Sequence, residues 1–108
     1  MTTLYLGEFE QVVLLAVLRL GDAAYAIPVR EEIEVRTGRS VARGALYTAL
    51  ERLESKRYLR SRLGEPLAER GGRPRRYFTV TATGLAALRS SRRALLQLWG
   101  GLEGLLES

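Results

Sequence analysis

The residues best suited to chemistry lie in one stretch near the middle of the chain, ERGGRPRRYFTVT, Glu69 to Thr81. Two glycines precede Arg73, Arg75 and Arg76, and alternating strand-like sequence follows. Guanidinium groups clustered at a turn are suited to holding phosphate, because each presents a planar fork of N–H donors. Covalent and acid–base catalysis have little to work with. The chain has no cysteine and no histidine, and Asp22 and Lys56 are its only Asp and Lys. No two carboxylates are spaced as a convergent pair, and Glu31, Glu32 and Glu34 read as a solvated helix face. An enzyme is therefore not expected, and neither a metal set nor a cofactor is.

Charge points the same way. The net charge is +5 over 108 residues, unevenly spread: residues 1–38 carry −3, residues 39–76 carry +7 and residues 77–108 carry +1. A localised basic block of this kind is the electrostatic footprint of a phosphate-binding surface. The absence of cysteine fits a cytoplasmic location. The longest apolar run, Val12 to Leu18, is too short to span a membrane, and no signal peptide is evident.

The elements that must position these arginines follow from periodicity. A first helix is expected over Glu8 to Leu20, where Phe9, Val12, Val13, Ala16, Val17 and Leu20 share a face. Leu14, Leu15 and Leu18 widen it, which predicts burial on more than one side. A second helix is expected over Ile27 to Thr37, with Pro28 in its first turn, Ile27, Val29 and Ile33 as its apolar side, and Gly38 closing it. A third, Arg43 to Lys56, buries Leu46, Ala49, Leu50 and Leu53. Its opposite face is small and polar: Gly44, Thr48, Glu51 and Ser55, flanked by Tyr47 and Arg52. Strands are expected over Arg57 to Leu63 and Arg75 to Thr81, joined by a loop rich in Gly and Pro, and a last helix starts near Ala82. Arg76 alternates onto the Phe78 and Val80 side, so it is expected along the domain surface.

The fold class read from this order is mainly α with a small β-hairpin. Three helices followed by a hairpin and a fourth helix is the pattern of a winged helix-turn-helix domain, residues 1–81, with a C-terminal dimerisation helix, residues 82–108, in one structural unit. In that arrangement the third helix enters the major groove of double-stranded DNA. Arg43, Gly44, Tyr47, Thr48, Glu51 and Arg52 are its candidate DNA-binding residues. Arg39, Arg70, Gly72, Arg73 and Arg75 are the candidates in the wing and its flanks.

The run GALYTALERLESKRYLRSRLGE, followed by GGRPRRYFTVTATG, resembles the PadR family of bacterial transcriptional regulators. The residues that carry the resemblance are Gly44, Leu46, Tyr47, Leu50 and Leu53, then Gly72, Arg73, Pro74 and Arg75, then Tyr77 or Phe78, Thr81 and Gly84. It extends from about Leu6 to Leu88. The sequence departs from the family pattern at Ala26 and Arg57, where glycine is usual.

The resemblance implies a homodimer, most often a repressor, joined through the C-terminal helix. Leu88, Leu95, Leu98, Trp99 and Leu102 are the dimerisation candidates. The mechanism expected is binding to an inverted-repeat operator, with release by a hydrophobic small-molecule effector, as in some relatives, left open. For Trp99, dimer packing and a place in an effector pocket are both open. The alternative function is a winged-helix module that binds protein or RNA, which has less use for a +7 middle third.

Overall fold

The structure is a computed structural model, and it describes residues 6–65, 74–105 and 107. Helix α1 spans Glu8–Leu20, α2 Ala26–Thr37, α3 Arg43–Ser55 and α4 Ala82–Trp99. Strands β1, Leu59–Leu63, and β2, Arg76–Val80, form one antiparallel hairpin. The chain is thus mainly helical with a two-stranded hairpin, as its periodicities predict.

Helix α1 ends where Gly21 adopts a positive φ of 57° and returns its N–H to the Val17 carbonyl. Val13, Leu14, Ala16 and Val17 are buried, but Leu15 and Leu18 are exposed. The expected burial on several sides is therefore not met within one chain. Helix α2 closes on Gly38, at φ 73°, a left-handed conformation suited to glycine. Val29 and Ile33 face the core, whereas Ile27 is 56% exposed. Two residues apart on a helix is about 200° of rotation, so Ile27 and Val29 cannot share one face.

The outer glutamates of α2 are also less idle than a solvated face. Glu32 accepts bonds from Arg36 and Arg19, and Glu34 caps the Val41 N–H at 2.9 Å. Glu34 therefore fixes the turn that leads into α3. That helix buries Leu46, Ala49, Leu50 and Leu53 as expected.

Beyond α3 the chain turns before it extends. The Tyr58 N–H reaches the Leu53 carbonyl at 2.9 Å and the Arg57 N–H reaches Glu54 at 2.9 Å. This is the Schellman termination, and it puts Arg57 at φ 65° in the position usually given to glycine. The strand consequently starts at Leu59, two residues later than alternation suggests. In the hairpin Leu59 faces Val80, Ser61 faces Phe78 and Leu63 faces Arg76. The Phe78 N–H points away from β1 and donates to the Ala24 carbonyl at 2.8 Å, so the link between α1 and α2 adds one rung to the sheet.

Thr81 caps α4 by accepting the Gly84 N–H at 3.0 Å. Thr81 and Thr83 both donate to the Arg57 carbonyl, tying the helix start to the α3–β1 turn. Gly84 sits so close to the Tyr58 carbonyl that a Cβ has no room. Leu88 joins the core of its own domain. Further along α4, Leu95, Leu98 and Trp99 lie in solvent, and Leu102, in the turn beyond the helix, is exposed with them. Gly100 ends the regular helix, and a short 3-10 turn follows at Glu103–Leu105. The result is elongated, 55 × 38 × 22 Å, with a radius of gyration of 15.9 Å against roughly 13 Å for a compact chain of this size.

Candidate nucleic-acid interface

Helix α3 is held from both flanks, and this leaves its third side free. On one flank Glu54 accepts the Ser61 hydroxyl, and Arg76 Nη1 lies 3.8 Å from Glu54 and 3.4 Å from Ser61. Arg76 thus lies along the domain surface, as its strand parity predicts. On the other flank Lys56 Nζ donates to Glu10 Oε2 at 2.8 Å, while Glu10 Oε1 accepts the Gly7 N–H at 2.9 Å. Burial would raise the Glu10 carboxyl pKa, but the Lys56 ammonium and the Gly7 N–H outweigh it and hold the carboxyl below its ordinary range. Sequence reading gives no sign of this pair, because nothing local to Glu10 or Lys56 predicts that they meet.

The free side carries Gly44, Thr48, Glu51 and Ser55, with Arg43, Tyr47 and Arg52 beside them, all exposed. Gly44 has open space where a Cβ would lie. Packing within this chain therefore gives no reason for glycine there. A groove of about 590 Å³ runs between the start of α1 and this face, lined by Phe9, Glu10, Gly44, Ala45, Thr48 and Arg52 among others.

The wing residues divide. Arg75 stacks on the Tyr25 ring, 4.4 Å from its centroid. Arg70, Gly72 and Arg73 lie outside the described residues. Arg39 is engaged elsewhere: its Nη1 is 2.7 Å from Glu8, and its guanidinium sits 5.2 Å from the Phe9 centroid. A DNA phosphate at Arg39 would have to compete with that carboxylate. Of the dimerisation candidates, Leu88 is spent on the core, while Leu95, Leu98, Trp99 and Leu102 are exposed together. Leu15 and Leu18 of α1 add exposed apolar surface that the sequence reading places inside.

A helix-turn-helix followed by a basic hairpin, with a small polar face turned outward, defines a winged-helix DNA-binding protein. The comparisons with known proteins agree. The model of the transcriptional regulator PadR-like family matches residues 14–90, and the chain belongs to that family. Its work is DNA-binding regulation, not catalysis. Among solved structures, a PadR family transcriptional regulator from Eggerthella lenta is 28% identical with a TM-score of 0.67, over 94% of this chain and 88% of that one. A transcriptional regulator from Clostridium thermocellum has a TM-score of 0.71 at 21% identity, over 91% and 92% of the two chains. A PadR-like regulator from Bacillus cereus has a TM-score of 0.71 at 19% identity, over 93% and 92%. No curated protein matches the sequence.

Proposed function

We propose that the protein is a repressor that binds an inverted-repeat operator as a homodimer and is released by a hydrophobic small molecule. The observation that carries DNA recognition is the outward face of α3. Its glycine has no packing role within the chain, and its polar side chains are unobstructed. Thr48, Glu51 and Arg52 read base edges, while Arg43 and Tyr47 with the wing arginines hold phosphates.

The homodimer rests on α4. Leu98 is 73% exposed and Trp99 41%, with Leu95 and Leu102 exposed near them, and a cluster of large apolar side chains in water favours a covering partner. A second α4 covers these residues with isologous contacts. Two copies then present two α3 helices about one turn of duplex apart. In this reading the effector binds against Trp99, between the two subunits.

Gel-shift titration with genomic fragments at rising salt tests the reading. Retention of discrete fragments, with affinity falling steeply as salt rises, is expected. Absence of duplex affinity, or indifference to salt, overturns it. Sedimentation of the wild type and Leu98→Glu tests the dimer, which the substitution should dissociate. Trp99 fluorescence unmoved by a panel of planar hydrophobic compounds would reject the effector.

A further inference from the structure

The two faces of the hairpin treat their arginines differently. On the face with Phe78, Arg76 pairs with the Glu54 carboxylate and donates to the Ser61 hydroxyl. On the other face Arg60 and Arg62 share the surface with Tyr77 and Thr79, and Arg75 joins them from the foot of β2. Among the described residues no carboxylate pairs with Arg60, Arg62 or Arg75. Instead two of these cations, Arg62 and Arg75, stand on rings. Arg62 lies 4.9 Å from the Tyr77 centroid and Arg75 lies 4.4 Å from the Tyr25 centroid. The two tyrosines meet edge-on, with centroids 5.5 Å apart and planes at 69°. The order is cation, ring, ring, cation, and it bridges the hairpin to the α1–α2 link. Gly64 makes it possible, since a Cβ there would come within 2.7 Å of the Tyr77 ring.

A guanidinium held over a ring face leaves N–H donors for an anion and loses rotational freedom, so it is set to meet a phosphate at little further ordering cost. Two such cations joined by aromatic rings, with no acid between them among the described residues, form a row that an anionic backbone completes. We propose that Arg62 is a phosphate-binding residue of the wing, and that Tyr25 and Tyr77 are positioning residues that hold Arg75 and Arg62 in one row against the duplex backbone. The inference rests on the DNA-binding reading above and assigns it three residues that sequence reasoning leaves without a role.

The test is fluorescence anisotropy with a short mixed-sequence duplex, measured across a salt series, with melting curves run beside it. Arg62→Ala, an exposed change, removes one contact per subunit, so for the proposed dimer it should lower the slope of log affinity against log salt by about 1.8 and weaken binding about 25-fold to 100-fold near 0.1 M salt. Tyr77→Leu should do the same while leaving both arginines in place, and Tyr77→Phe should bind like the wild type. Combining Arg62→Ala with Tyr77→Leu should add nothing to either alone. A wild type that binds with a steep salt slope, alongside an Arg62→Ala variant with the same slope and affinity, overturns the row and leaves the proposed function standing. A Tyr77→Phe variant as weak as Tyr77→Leu overturns the ring as the positioning group. A wild type without duplex affinity overturns both proposals.

Discussion

Lys56, just past the end of α3, is joined to Glu10 in the first turn of α1 by a 2.8 Å charged hydrogen bond. Glu10 is only 7% exposed, so its charge depends on that partner. The pair ties the end of α3 to the start of α1, the helix that packs behind it.

Lys56→Met should therefore destabilise the fold by about 1–2 kcal/mol, less than for a fully buried pair because Lys56 is partly solvated. The Glu10 carboxyl is held below its ordinary value of 4.5 in the folded state. Its contribution is thus present above pH 4.5 and is lost as pH falls through the depressed folded value. Urea unfolding of wild type and variant should show the largest gap near neutral pH and a shrinking one in acid.

Gly44→Ala separates stability from binding. Replacing a helical glycine that nothing surrounds should raise stability by about 0.5–1 kcal/mol. The added methyl should also keep α3 from its full depth in the groove and weaken duplex affinity about tenfold, or 1.4 kcal/mol. A thermal melt and a binding titration on one preparation measure both signs.

Gly84→Ala should go the other way. Helix propensity alone favours alanine, yet its Cβ would strike the Tyr58 carbonyl, a backbone atom that cannot swing aside. Overpacking should outweigh propensity and cost about 2–3 kcal/mol, read from the urea midpoint.

Arg57→Gly should stabilise the protein by about 1 kcal/mol, because the residue already occupies a left-handed conformation, at φ 65°. The hydrogen bonds of the turn, from Tyr58 to Leu53 and from Arg57 to Glu54, use backbone atoms and survive the change. The same melt as for Gly44→Ala checks it.

These residues also show what a sequence can convey. Helix α1 is legible at both ends because Gly21 and the run of apolar residues are local signals, and the Arg43 start of α3 and the Ala82 start of α4 are legible for similar reasons. The outward face of α3 follows from its 100° periodicity. Arg57 misleads, since an arginine in a left-handed turn continues the polar–apolar alternation of the strand beside it. Ile27 misleads because an apolar residue type does not fix the face it occupies. The contacts Glu10–Lys56 and Tyr25–Tyr77 join distant segments, and no spacing rule connects their positions. They become visible only when helices and hairpin are docked.

The hydrogen bond from Phe78 to the Ala24 carbonyl involves main-chain atoms alone, so scanning mutagenesis passes over it. In native-state hydrogen exchange the base of the wing and the link between α1 and α2 should therefore open together, as one cooperative unit. A perturbation that loosens the end of α1 is then felt at the wing without passing through α3 at all.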